Sequence, residues 1–237
     1  MNRRRFLTMS AAVAVVGAPL GAVAVSKARS ESASTSDAGP LPLPDDGVIR
    51  TAFAIGEGFN VIDVSGPWEA FQDAIVAGGP GQFELFTVAG STDPVSGTGG
   101  LTVTPSYGYD DAPQPNVVVI PAHNATADTV PWLRRAAARA DLVMSVCTGA
   151  FVLAETGLLD GKTATTHHGS WDDFEAAFPK IELLRGLRYV EHESVATAGG
   201  LTSGIDLALR VIERYLGVDT ANATAEYMEY TRSPVPA

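Results

Sequence analysis

The sequence predicts an α/β protein, a doubly wound and mostly parallel sheet sandwiched by helices. Three observations predict it. Short apolar runs alternate along the chain with stretches of helical spacing, the pattern of repeated strand–helix units. Two of those runs are VVVI, continuously apolar as expected of a strand covered on both faces, and LVMSV, apolar but for Ser145. The second run leads directly into Cys147, the only cysteine in the chain, with Thr148 and Gly149 next. In such sheets reactive groups gather beyond the carboxyl ends of the strands.

The elements follow in order. VIRTAFAI (48–55) reads as a buried strand. PWEAFQDAIVAGG places Trp68, Phe71 and Ile75 at helical spacing and closes on glycines. QFELFTVAG (82–90) is a second strand, and VSGTGGLTVTPSYG a small hairpin turned on its glycines. PNVVVIPAH (115–123) is a core strand, TADTVPWLRRAAARA a helix, and DLVMSV (141–146) a further core strand. TGAFVLAETGLL is helical until its glycine, KTATTHH is extended, and SWDDFEAAF is a helix with a Ser N-cap. Strand-like segments surround LRYVEHESVATAGG. The last long helix, LTSGIDLALRVIERYLG, has Ile205, Leu209, Ile212 and Leu216 on one face.

Two segments precede this domain. Residues 1–28 pair a basic start (Arg3, Arg4, Arg5) with a mildly apolar stretch and small residues in AVA and SKA. That is the pattern of an export signal cleaved near Ala24 or Ala28, and RRRFL resembles the twin-arginine signature. An uncleaved anchor is the alternative, against which stand the Gly and Pro in the segment. Residues 29–47, rich in Ser, Pro and Asp, read as a disordered linker. The domain proper is 48–232, and a periplasmic or extracellular location is expected, with no membrane span once the signal is removed.

Five of the 16 Lys and Arg residues lie in the first 29 positions, which hold none of the 27 Asp and Glu, so the remainder is near −16. That charge argues against nucleic acid and anionic lipid as partners. A lone cysteine excludes an internal disulfide framework.

A strand–Cys–helix junction puts the thiol at the tip of a sharp turn beside a helix N-terminus. Its N–H groups favour thiolate over thiol and can hold an anionic intermediate, and Gly149 permits close backbone approach. A small buried cysteine filling the core is the other reading of the same pattern.

SVCTGAFVLAETGLLDGKTATTHH resembles the core of the ThiJ/PfpI superfamily, with its flavodoxin-like, class I glutamine amidotransferase-like fold. The similarity is greatest to the isonitrile hydratase branch and to the sensor domains of AraC-type regulators. NVIDVSGP (60–67), VVVIPAH (117–123) and TAGGLTSGIDLALRVIE (197–213) agree with the same family. The resemblance implies that Cys147 is the nucleophile and Asp63 its acid/base partner. It implies that Thr148 sets its N–H and hydroxyl by the reacting group. Gly66, Ala122, His123, Gly149 and His167 fall at substrate-binding positions, and Gly66–Pro67 would open a helix and fix the loop presenting Asp63. An N-cap or Asx-turn carboxylate is the alternative for Asp63. Two departures stand out: Thr148 where many relatives have His, and Ala122-His123 where Gly-Gly is usual.

His167 and His168 close the extended segment. A zinc site shared with His123 has no known ligand spacing, and neighbours on a strand point to opposite faces, so no metal and no cofactor are expected. His192 reads as a surface residue between Glu191 and Glu193, and Trp68, Trp132 and Trp171 as packing residues. The function expected is hydration of a small electrophile such as an isonitrile to an N-substituted formamide. The alternatives are a non-catalytic small-molecule or redox sensor and a glyoxalase- or amidase-like cysteine hydrolase. No DNA-binding module is expected after the domain. A small-molecule substrate and a homodimer are the expected partners.

Overall fold

The computed structural model describes residues 38–74 and 82–232. The export signal, residues 29–37 of the linker and Ile75 lie outside the described residues. Seven strands form the main sheet: β1 (Val48–Ala54), β2 (Gln82–Ala89), β5 (Tyr107–Gly108), β6 (Val117–Ile120), β7 (Leu142–Val146), β10 (Tyr189–Glu191) and β11 (Val195–Ala198). Their order is β10-β11-β7-β6-β1-β2-β5. Every pairing is parallel except β10 with β11 at one edge. Two short ribbons lie outside it, β3 (Val95–Ser96) with β4 (Thr102–Val103) and β8 (Thr163–Ala164) with β9 (Glu182–Leu183).

The continuous apolar runs serve two cores, because successive side chains on a strand face opposite ways. Phe53, Val117, Val119, Met144 and Val146 pack on one face under α1 (Val61–Asp73), α5 (Ser203–Leu216) and α6 (Val218–Tyr227). Ala52, Ala54, Val118, Ile120 and Val143 pack on the other under α2 (Thr129–Ala137), α3 (Gly149–Glu155) and α4 (Trp171–Ala177). Trp68 tilts against Phe53 with ring centroids 5.0 Å apart, and Trp132 stacks on Tyr109 at 5.1 Å, so both pack as expected. No helix among the described residues is long and apolar enough to cross a membrane.

Four expectations are corrected. The first helix starts at Val61, so Pro67 lies inside it rather than at its opening. Pro67 has no N–H to give to the Asp63 carbonyl four residues back, and apolar burial of the helix outweighs that loss. Ser170 holds the N-cap position of α4 but makes no capping bond with its side chain. Helix α6 follows α5, where the sequence reading ended its helices.

Last, residues 38–47 are docked rather than loose. The carbonyl of Gly39 accepts from Nε of Arg214 at 2.9 Å, the carbonyl of Ala38 from Nη2 of Arg210 at 3.1 Å, and the N–H of Leu41 reaches the Arg214 carbonyl at 2.8 Å. Composition alone could not show that two arginines of α5 grip these carbonyls.

Candidate active site

Because the central strands run parallel, their carboxyl ends meet at one edge of the sheet, and α1 begins there. Cys147 follows β7 with φ of 59°, the left-handed region that side-chain-bearing residues enter at a cost of about 1–2 kcal/mol. Its N–H is held by the carbonyls of Gly199 at 2.8 Å and Ala198 at 3.2 Å. Its own carbonyl accepts the hydroxyl of Thr166 at 2.9 Å. The strain is therefore fixed from the neighbouring strand β11 and from the segment after β8.

Gly149 makes the turn possible. A Cβ there would lie 2.2 Å from the carbonyl oxygen of Ile120 and 2.8 Å from that of Pro121, both main-chain atoms. Only glycine lets α3 start this close to the end of β6.

Asp63, in the first turn of α1, is fully buried. It is not a cap: Oδ2 accepts the N–H of Ala122, across the site, at 3.1 Å. Oδ1 is buried without a protein partner at standard hydrogen-bond geometry, and the Cys147 thiol facing the carboxylate lowers its pKa as a donor. Burial outweighs both bonds and pushes the carboxyl up to about 6.

Burial also pushes the Cys147 thiol up, and the nearby charge of Asp63 adds to it. The N–H groups of Thr148 and Leu201 and the Thr148 hydroxyl face the sulfur and pull the other way without prevailing. This corrects the expectation of a thiolate set by the helix terminus. Helix α3 has only 7 residues, and a buried sulfur beside a carboxylate outweighs its terminal dipole. The site rests as a thiol and a carboxylate that can exchange one proton.

The remaining expected site residues divide. Thr148 faces the sulfur with its N–H and its hydroxyl. Gly66 lies where α1 crosses α5, and a Cβ there would come within 2.9 Å of Ile205 Cγ1, so its task is packing rather than substrate contact. The N–H of Ala122 is committed to Asp63, not left for a ligand.

His123 turns back, its Nδ1 donating to the Pro121 carbonyl at 2.8 Å, and burial lowers its pKa, so the ring is neutral with Nε2 an acceptor. His167 accepts the Gly169 N–H at Nδ1 and packs against Gly200, one residue before Leu201. The two histidines share no metal arrangement: among the described residues no group of three His, Cys, Asp or Glu side chains is placed to hold an ion. His192 is half-buried, with Nε2 donating to the Thr163 carbonyl at 2.8 Å, so it is not the free surface residue expected.

Sequence reasoning assigns no role to Leu201, and the signal for one is the paired glycine before it. With φ of 55°, it forms a second left-handed turn opposite Cys147.

Comparison with known proteins places this geometry. The sequence profile of the DJ-1/PfpI family matches residues 49–214. A Pseudomonas putida isonitrile hydratase is 32% identical over 192 residues, covering 78% of this chain and 80% of that protein. The HTH-type transcriptional regulator GbdR of Pseudomonas aeruginosa (strain UCBPP-PA14) is 26% identical over 185 residues. That match takes in 76% of this chain, which spans only 50% of the regulator's length. Among solved structures, a ThiJ/PfpI family protein from Pseudomonas syringae superposes with a TM-score of 0.69 at 27% identity, covering 78% of this chain and 76% of that one.

Proposed function

Because the chain belongs to the DJ-1/PfpI family, we propose that it is a cysteine-dependent hydratase that converts small isonitriles to N-substituted formamides. The observation that carries the reading is the buried pair of Cys147 and Asp63, with the carboxylate facing the thiol and held by Ala122. The similarity to a curated isonitrile hydratase supports the substrate class.

The steps follow from the pair. Asp63, ionised above about pH 6, takes the thiol proton as Cys147 sulfur bonds to the terminal isonitrile carbon. The carboxyl returns that proton to the same carbon, leaving a thioimidate R–N=CH–S. Water then adds to the C=N carbon as its proton passes through Asp63 to nitrogen, giving R–NH–CH(OH)–S with sulfur still bound to Cys147. The C–S bond breaks as the hydroxyl becomes the carbonyl, its proton passes through Asp63 to sulfur, and R–NH–CHO departs with the thiol and carboxylate restored. The overall change is one isonitrile plus one water to one formamide. The N–H groups of Thr148 and Leu201 steady charge on sulfur during attack and departure.

A second reading, a non-catalytic ligand-sensing domain, is favoured by the likeness to GbdR. A redox-sensing role gains nothing from the site, because burial and Asp63 hold the thiol protonated and slow to oxidise. The proposal includes export, for which RRRFL and the small residues of AVA and SKA are the support, and pairing as a homodimer. Incubation with cyclohexyl isocyanide, followed by NMR, tests it: formamide from the wild-type protein and none from Cys147→Ala is the expected result. No formamide, with isonitrile binding unchanged in Cys147→Ala, would favour the sensor.

A further inference from the structure

The turn that brings Leu201 to the sulfur is held by a residue that neither touches the thiol nor lies near it in sequence. Left-handed geometry at a leucine persists only where its surroundings over-determine it. Arg188, just before β10, does so from both ends. Its carbonyl accepts the Gly199 N–H at 2.9 Å, and the Gly199 carbonyl accepts the Cys147 N–H at 2.8 Å. Its guanidinium reaches past Leu201 to Thr202 Oγ1 at 3.2 Å.

The same fork continues outward. Nε reaches Oδ2 of Asp206 at 2.6 Å, in the first turn of α5, and Nη2 reaches the Tyr230 hydroxyl at 3.1 Å. That hydroxyl donates to Asp206 Oδ2 at 3.1 Å. The Asp206 side chain is 1% exposed, so the arginine is anchored on a carboxylate that cannot swing away. Tyr230 arrives from beyond α6 through a left-handed turn at Glu229, with its N–H on the Ala225 carbonyl at 2.9 Å.

We infer that Arg188 is a positioning residue of the Cys147 site: it grips the 199–202 turn before and after Leu201, fixing the Leu201 N–H against the sulfur, and Tyr230 completes the clamp. This rests on Cys147 being the reacting group, and is independent of which electrophile it attacks. A planar fork that makes three side-chain contacts in fixed directions is what the clamp requires, and lysine cannot reproduce it. The chain's last described helix thereby becomes part of the site's support, through Tyr230.

The test compares full-length wild type, Arg188→Lys, Tyr230→Phe and, as a remote control, Lys180→Gln, which breaks only an exposed ion pair with Asp160. Each is followed by thermal melting and by the pH profile of Cys147 alkylation with iodoacetamide. Losing one N–H donor to the sulfur is expected to slow alkylation of Arg188→Lys at neutral pH about threefold to tenfold and move its profile to higher pH. Tyr230→Phe shifts the same way by less, and Lys180→Gln not at all. Lower melting temperatures with unmoved alkylation profiles in both clamp variants would overturn the inference and leave Arg188 a stabiliser of α5. Should Arg188→Lys fail to fold, Tyr230→Phe decides alone. A wild type that makes no formamide yet shows the alkylation shifts would sink the hydratase reading and leave the clamp standing.

Discussion

The N–H of Ala122 donates to Oδ2 of Asp63 at 3.1 Å, while the carbonyl of Ala122 accepts the N–H of Asn60, at the N-cap of α1, at 2.9 Å. One residue at the end of β6 thus fixes both the helix that carries the carboxylate and the carboxylate itself. Oδ1 stays buried without a partner at standard hydrogen-bond geometry, and the carboxyl as a whole faces the Cys147 thiol. The donors for a charged sulfur come from the two left-handed turns instead, at Thr148 after Cys147 and at Leu201.

The buried carboxyl predicts a pH signature in stability. Folding raises the Asp63 pKa to about 6, so its contribution is fully present below the ordinary carboxylate range and is lost as pH rises through about 6. Asp63→Asn carries no charge to bury. Wild type should therefore lose up to roughly 3 kcal/mol relative to Asp63→Asn across that window. Urea unfolding of both proteins at pH steps checks this, and parallel curves would refute it.

The thiol should be sluggish. With burial and Asp63 holding Cys147 protonated, wild-type alkylation by iodoacetamide should titrate above the range of an unperturbed cysteine. Asp63→Asn should move the profile to lower pH, because the repelling charge is gone. A wild-type protein that alkylates fully at neutral pH, faster than free cysteine, would show that the terminal dipole prevails after all.

Gly149→Ala should cost more than about 2 kcal/mol of stability, since the added methyl meets the Ile120 and Pro121 main chain and neither can move without disturbing β6. Denaturant unfolding measures it. A change within about 0.5 kcal/mol would mean that the turn has room the geometry denies.

Removal of residues 1–47 should destabilise the domain by about 2–4 kcal/mol, through loss of the three bonds to Arg210 and Arg214 and of Leu41 from the core. Removal of residues 1–28 alone should change little. Melting curves of the two truncated chains separate these outcomes; equal stability would contradict the docked segment.

Much of this was legible in the sequence because strand–helix alternation and continuous apolar runs report directly on burial. VVVI and LVMSV became β6 and β7, and Cys147 sits at the end of β7. The partnership of Cys147 with Asp63 came from a resemblance between motifs, and no spacing rule joins residues 63 and 147. What stayed hidden depends on contacts between distant residues. The Ala122 bond that holds Asp63, the bond from Arg188 to Thr202 and the grip of Arg214 on Gly39 link segments far apart in the chain. The sign of the thiol's shift was hidden for the same reason, since a helix terminus is visible in sequence and the depth of burial beside a carboxylate is not.

The most direct measurement is the pH dependence of formamide formation from cyclohexyl isocyanide by wild type and Asp63→Asn. The account predicts that wild-type kcat/KM rises with pH through about 6 as Asp63 ionises to receive the thiol proton. It predicts that Asp63→Asn retains no such limb and loses at least about a hundredfold in rate. A wild-type rate flat across that range, or an Asp63→Asn variant as active as wild type, would contradict the Cys147–Asp63 pair as the working centre of this protein.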